Sequence, residues 1–116
     1  MKSVEQQLNL FEQRRQQRDE DVATLKYHLG MLAAWQTREQ LVKALDWTDR
    51  RLRDAAEHSG GQIIFGQLGM RHIRHASSAE VSACKATLRS QAAKMMARET
   101  EIDHAYHSWG GKAVSA

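Results

Sequence analysis

The sequence predicts a mainly α-helical fold with three helices, a short β-hairpin and a long C-terminal helix. The chain of 116 residues contains no proline, and apolar residues recur at three- and four-residue intervals over much of its length. Two short β-rich runs also flank the sequence GQLG at residues 66–69. The apolar spacing is typical of amphipathic helices, and a glycine-bounded connection between two β-rich runs is typical of a hairpin.

Composition indicates a globular protein with one folded domain. The content of 41% hydrophobic and 27% charged residues is typical of such proteins. No apolar run approaches the roughly 20 residues of a membrane span, and the first residues lack the order of a signal peptide. Because the single cysteine, Cys84, excludes an internal disulfide framework, we expect a cytoplasmic location and no membrane partner.

Residues 1–20 are predicted to be a flexible N-terminal peptide followed by a tether. A few large apolar residues stand there among Gln, Glu, Asn and Arg, and residues 12–20 are polar throughout. In the alternative interpretation, Leu8 and Phe11 begin the first helix and pack on the domain, since they are three residues apart.

The first helix of the folded domain is predicted to begin at Asp21 and to end near Ala34. Apolar side chains recur from there on one helix face, namely Val22, Leu25, Leu29 and Leu32. This face is sufficient to close a core without the apolar residues of the N-terminal peptide.

The next segment has the pattern of a helix-turn-helix. Thr37 and Gln40 have the spacing of a capping box, and the helix that they begin is expected to end at Leu45. Asp46 and Trp47 then form a tight turn, and Thr48 caps a third helix. Two short helices joined by a turn that carries a bulky apolar residue are typical of this motif.

A β-hairpin is predicted after the third helix, which Gly60 and Gly61 end. Its strands lie in residues 62–65 and 70–75, joined through GQLG. Three helices followed by a hairpin is the order of a winged helix, in which the hairpin is the wing. We place this domain at residues 21–76.

Residues 77–110 are predicted to form one long helix, and residues 111–116 a disordered tail. Ser77 and Glu80 have the spacing of a capping box. The apolar residues that follow keep a three-four spacing, which Glu99 interrupts once: Val81, Cys84, Leu88, Ala92, Met95, Ile102, Tyr106 and Trp109. A helix of about 30 residues is on the order of 45 Å long. We therefore expect part of its apolar face to meet the N-terminal helix or a second subunit, as in a homodimer.

The segment 37–75 resembles the winged helix-turn-helix superfamily, especially small bacterial and phage proteins with the turn A-L-G-W-S/T-[DE]-R and the wing G-Q-x-G. The corresponding sequences here are ALDWTDR at residues 44–50 and GQLG at 66–69. Asp46 stands where these proteins usually have glycine, and aspartate tolerates a left-handed backbone better than most residues. The resemblance implies the fold and not a specific biological role.

The sequence QLNLF at residues 7–11 resembles the pentapeptide by which bacterial replication and repair proteins bind the β sliding clamp, commonly Q-L-[SD]-L-F. Matching residues are Gln7, Leu8, Leu10 and Phe11, and Asn9 replaces the usual serine or aspartate. In such a peptide, leucine and phenylalanine fill an apolar pocket and glutamine makes hydrogen bonds at its edge. The resemblance implies the β sliding clamp as a partner.

Basic residues favour double-stranded DNA as a second partner. The chain has 17 basic and 14 acidic residues, a net charge of +3, and the excess clusters between residues 38 and 75. Residues predicted to contact DNA lie in the third helix and the wing: Thr48, Asp49, Arg50, Arg51, Arg53, Glu57, His58, Gln67, Arg71, His72 and Arg74. The acids within this set would lie near phosphates, so a surface that binds only protein remains an alternative.

We therefore expect a non-enzymatic DNA-binding protein of a bacterium or phage that acts in DNA replication or its control and is recruited to the sliding clamp. No nucleophile–base pair, phosphate-binding loop or carboxylate constellation is evident, so no catalytic residue, cofactor or metal is assigned. One alternative is an adaptor or clamp inhibitor that does not bind DNA. Another is a dimeric transcriptional regulator whose N-terminal peptide only packs on the domain.

Overall fold

The computed structural model describes residues 3–110. These residues form four α-helices, a two-stranded antiparallel sheet and a short 3-10 helix, so the predicted mainly helical class is confirmed. In chain order the elements are α1 (Val4–Gly30), α2 (Arg38–Leu45), α3 (Asp49–Glu57), β1 (Ile63–Gly66), β2 (Gly69–His72), the 3-10 helix (Ile73–His75) and α4 (Ser78–Ser108). The chain divides into two compact units, with the boundary after Val81.

Helix α1 begins at Val4, so the predicted start at Asp21 is wrong. Ser3 forms a capping box with Gln6: Ser3 Oγ accepts a hydrogen bond from Gln6 N at 3.2 Å, and Gln6 Oε1 accepts one from Ser3 N at 3.1 Å. The peptide and tether predicted at residues 1–20 are therefore helical from Val4 onward. Residues 1 and 2 lie outside the described part of the chain.

The same helix ends at Gly30 and not near Ala34, for two reasons that involve distant residues. The Gly30 carbonyl lies 2.8 Å from His75 Nε2, which satisfies a helix-end acceptor. Gln36 then pairs in both directions with Met70, through N–O distances of 3.0 and 2.8 Å, and this pairing needs extended chain. The residues before α2 are thereby tied to the hairpin.

The two predicted helix starts at Thr37 and Thr48 are confirmed. Thr37 Oγ1 accepts a hydrogen bond from Gln40 N at 3.1 Å, and Thr48 Oγ1 accepts one from Arg51 N at 3.2 Å. Between α2 and α3, Asp46 adopts a left-handed conformation with φ 54° and ψ 44°. Glycine adopts this conformation without a steric cost, and aspartate tolerates it better than most residues do.

The core lies where α1, α2, α3 and the hairpin meet. Its fully buried side chains are Leu25, Leu29, Leu41 and Leu52, and the residues packed with them include Val22, Trp47, Ala55 and Ile63. Each buried leucine contributes roughly 1.5–3 kcal/mol relative to an exposed one. The core fixes one face of α3 and leaves its opposite face in solvent.

The hairpin has a two-residue connection, with Gly66 opposite Gly69 and Ile63 opposite His72. Gly69 has a φ of 121°, and a side chain there would collide with the backbone of Gln36. The predicted second strand at residues 70–75 is too long, because β2 ends at His72 and the 3-10 helix follows.

Helix α4 confirms the predicted long helix and its start. Ser77 N donates to Glu80 Oε1 at 2.8 Å, and Glu80 N donates to Ser77 Oγ at 3.2 Å. The tail predicted at residues 111–116 lies outside the described residues. Among residues 3–110, no helix is both long enough and apolar enough to cross a membrane.

Candidate nucleic-acid interface

The solvent-facing side of α3 forms a shallow groove of about 460 Å³. Its lining side chains are Thr48, Arg50, Arg51, Arg53, Asp54 and Glu57. Leu52 and Ala55 are buried on the other side of the helix, so the core holds α3 in a fixed rotation about its axis. Seven of the predicted DNA-binding residues belong to this helix or to its two caps, Thr48 and His58.

Arg50 and Arg53 are the cations of α3 that remain available. They lie one turn apart on the exposed face, and neither forms an ion pair with another residue in the described part of the chain. Arginine in this setting can donate to a phosphate or to a guanine edge. These two guanidinium groups are the strongest candidates for contact with an anionic partner.

Arg51 has a different role, because it is bound by a carboxylate of α1. Its Nε donates to Asp21 Oδ2 and its Nη2 to Asp21 Oδ1, both at 2.8 Å. The guanidinium also lies over the Trp47 ring, 4.8 Å from the centroid. Hydrogen bonding from Arg51 holds the pKa of Asp21 below its ordinary value. Arg51 therefore connects α3 to α1 through its ion pair with Asp21.

Apart from Glu57, the other predicted polar residues of α3 and its caps have partners within the chain. Asp49 Oδ1 lies 3.4 Å from Arg38 Nε, and both side chains are more than half exposed. His58 Nδ1 lies 2.8 Å from the Asp54 carbonyl oxygen and 3.4 Å from Asp54 Oδ1. Thr48 uses its hydroxyl as the helix cap. Glu57 is exposed on the same face as Arg50 and Arg53 and adds negative charge to it.

In the hairpin, Arg71 is also engaged within the chain. Its Nη1 lies 3.0 Å from both carboxylate oxygens of Glu80 and donates to the His75 carbonyl at 3.3 Å. The guanidinium lies over the Trp35 ring at 4.8 Å, and only 17% of the side chain is exposed. The pKa of Glu80 is lowered first by the Ser77 backbone hydrogen bond and then by Arg71. Arg71 therefore ties the hairpin to the start of α4.

His72 is poorly suited to binding phosphate. Its Nδ1 accepts a hydrogen bond from Arg74 N at 3.1 Å. Burial lowers the pKa of His72, and the nearby charges of Arg74, His75 and Lys26 lower it further. The imidazole is therefore neutral at neutral pH. Gln67, in the hairpin turn, and Arg74 are exposed, so both side chains are accessible to a partner.

A second groove, of about 450 Å³, lies between α1 and α3 and contains arginines outside the predicted DNA-binding set. Its lining side chains are Phe11, Arg14, Arg15, Gln17, Arg18, Asp21 and Asp54. Asp54 also lines the α3 groove, so the two surfaces adjoin. Because Asp21 is already neutralised by Arg51, the second groove carries excess positive charge.

The residues that resemble the pentapeptide that binds the sliding clamp lie in the first half of α1. Leu8 is 59% exposed and Phe11 70% exposed, and they share one helix face. Leu10 is half-buried and lies about 100° around the helix from Phe11. Leu8 and Phe11 thus belong to the first helix, as one interpretation predicted, but they do not pack in the core. Gln7 is exposed beside them.

Comparisons of the chain with protein-family models, with curated proteins and with solved structures gave no significant match. The candidate site can supply several exposed guanidinium groups on two packed helices, together with apolar side chains at one end of α1.

Proposed function

We propose that this chain is a non-enzymatic winged-helix protein that binds double-stranded DNA in bacterial or phage DNA replication or its control. Helix α3 is the recognition helix and the β1–β2 hairpin is the wing. The observation that carries the proposal is the exposed Arg50–Arg53 pair, which lies without ion-pair partners among the described residues on a helix anchored from behind. Unpaired arginines on a rigid helix suit the phosphates and base edges of a major groove.

The anchoring of α3 supports this role. The Asp21–Arg51 pair holds the helix to α1, and Leu52 and Ala55 hold it to the core. A recognition helix must keep its position when it meets a charged backbone, because loosely held side chains lose entropy on binding. The tight turn at Asp46 sets the direction in which α3 begins.

The arginines of α1 extend the proposed contact surface. Arg14, Arg15 and Arg18 adjoin the α3 groove and would meet phosphates next to those that Arg50 and Arg53 contact. Arg51 and Arg71 contribute through the fold and not through direct contact. The acids Asp54 and Glu57 oppose phosphate binding, so we expect modest affinity that depends strongly on salt.

The test is fluorescence anisotropy with a labelled DNA duplex at low salt. The double variant Arg50→Ala with Arg53→Ala should weaken binding at least tenfold. The control, Lys94→Ala with Arg98→Ala, removes the same charge from α4 and should change affinity less than threefold. If wild-type protein does not bind above background, or if both double variants bind equally, the DNA proposal is wrong and an adaptor that binds only protein is favoured.

A specific observation supports recruitment by a protein partner as well. Leu8 and Phe11 are exposed at the end of α1, and large apolar side chains in such a position are typical of interaction sites. The clamp-like sequence makes the β sliding clamp the partner that we propose. In the helix, Leu10 and Phe11 point in different directions, so entry into one pocket requires the start of α1 to unwind.

Surface plasmon resonance with immobilised sliding clamp tests this second proposal. Leu10→Ala with Phe11→Ala should abolish binding, whereas Val4→Ala, another exposed apolar change in α1, should leave it intact. Binding that survives the double substitution, or no binding by the wild type, would exclude the clamp as the partner.

A further inference from the structure

Helix α4 carries large apolar residues at every seventh position. These are Val81, Leu88, Met95, Ile102 and Trp109, which follows the last residue of α4 and donates its N–H to the Ala105 carbonyl. Four of them are exposed: Leu88 by 49%, Met95 by 73%, Ile102 by 61% and Trp109 by 83%. A repeat of seven sustained over four intervals keeps one apolar face along a supercoiled helix. Such a face is typical of a helix that packs against another helix.

The charges of α4 are segregated along its length. Residues 85–98 contain four basic residues and no acid, namely Lys85, Arg89, Lys94 and Arg98. Residues 99–103 contain three acids and no base, namely Glu99, Glu101 and Asp103. None of these seven side chains forms an ion pair with another residue in the range 3–110.

We propose that α4 forms an antiparallel two-helix coiled coil with α4 of a second copy of this chain. In an antiparallel pair centred on Met95, residues 87–91 of each helix, which include Arg89, lie against the acidic residues 99–103 of the other, and residues 92–98 lie against the same residues of the second copy. A parallel pair would instead place basic beside basic and acidic beside acidic. Because like charges at the edges of a coiled coil oppose pairing and opposite charges favour it, the charge pattern favours the antiparallel arrangement over the parallel one.

The repeat also defines the centre of the pair. Met95 is the middle of the five apolar positions, and a two-fold axis beside it brings Leu88 of one copy opposite Ile102 of the other. The same axis brings Arg89 opposite Glu101. An interface of this kind is isologous, so each contact occurs twice and the assembly closes as a dimer. The proposal does not depend on DNA binding.

Sedimentation equilibrium of the full chain tests the dimer. We expect the mass to rise from the 13.2 kDa of one chain to twice that value as the concentration increases from about 1 to 100 μM. Met95→Asp should shift the protein to the monomer. Ala97→Asp places the same charge two residues away, on the opposite side of α4, and should leave the dimer intact. Circular dichroism checks that both variants keep their helix content.

A monomer at every concentration would overturn the proposal, and the apolar face of α4 would then be a binding site for a different protein. A dimer that Met95→Asp and Ala97→Asp affect equally would also overturn it, because the interface would then lie elsewhere.

Disulfide cross-linking tests the orientation. In a chain with Cys84→Ala, oxidation should link two copies of Met95→Cys, which lie together at the axis. Two copies of Trp109→Cys should not link, because an antiparallel pair separates them by about 40 Å, at 1.5 Å per residue. Efficient linkage at both positions would show a parallel pair and contradict the antiparallel arrangement. Linkage at neither position would show that the dimer forms through another surface.

Discussion

At the scale of single residues, Arg51 and Arg71 show that an arginine can stabilise the fold and need not be available to bind a partner. Each donates to a carboxylate, Arg51 to Asp21 and Arg71 to Glu80, and each lies over a tryptophan ring at 4.8 Å. Their charge is largely neutralised where they are. Positive charge available to a partner is therefore found on other arginines of the same unit.

Asp21→Asn should destabilise the domain by about 1–2 kcal/mol, because it removes a charged partner of Arg51; the range allows for solvent screening at that partly exposed guanidinium. The matched change Asp49→Asn affects an exposed pair and should cost about 0.5 kcal/mol or less. Urea unfolding followed by circular dichroism measures both. Equal effects would mean that the Asp21–Arg51 pair does not hold α1 to α3.

The lowered pKa of Asp21 predicts a specific pH dependence. Because the folded-state pKa lies below the ordinary 3.8, the pair contributes its full stability above pH 3.8 and loses it as the pH falls through the folded-state pKa. The difference in unfolding free energy between wild type and Asp21→Asn should therefore shrink below pH 3.8. A difference that stays constant into strong acid would show that the Asp21 carboxylate is not responsible.

At the scale of elements, local signals predicted helix starts better than they predicted helix extents. The sequence predicts capping boxes at Thr37 and Ser77, and the structure has a third at Ser3, where the polar residues that follow predict a tether. Glutamine, arginine and glutamate are good helix formers. Because the second half of α1 packs on the core, the helix can continue through these polar residues in its first half without burying an apolar face there.

The end of α1 could not be predicted from nearby sequence. It depends on His75 and on the pairing of Gln36 with Met70, which come from residues more than 30 positions away. The same limit applies to the site. Spacing along the chain predicts the same DNA-binding role for Arg50, Arg51 and Arg53, and it could not show that Asp21 engages Arg51 or that Glu80 engages Arg71.

Gly69→Ala tests the close contact between the hairpin and the segment before α2. The new Cβ would collide with the Gln36 backbone, and the φ of 121° is unfavourable for alanine. Gly61→Ala is the matched control, because Gly61 also has a positive φ, of 80°, but has open space around it. Thermal unfolding should show Gly69→Ala to be less stable than the control by more than about 1 kcal/mol. Equal stability would mean that the hairpin is not held there.

At the scale of the whole molecule, a net charge of +3 is small, so the distribution of charge matters more than its total. The α1–α3 groove brings Arg14 and Arg18 beside the recognition helix. Arg14→Ala with Arg18→Ala should weaken duplex binding several-fold, equally for all DNA sequences, because phosphate contacts carry no sequence information. Anisotropy with duplexes of different sequence measures this. Unchanged affinity would confine the interface to α3 and the hairpin.

The most direct test of DNA binding through α3 is the salt dependence of duplex affinity. We would measure the slope of log K against log salt concentration between about 50 and 200 mM for wild type and for Arg50→Ala with Arg53→Ala. We expect the slope of the double variant to be smaller in magnitude by about two, because two phosphate contacts are lost. A wild-type affinity that does not change with salt, or an identical slope in the double variant, would contradict this expectation.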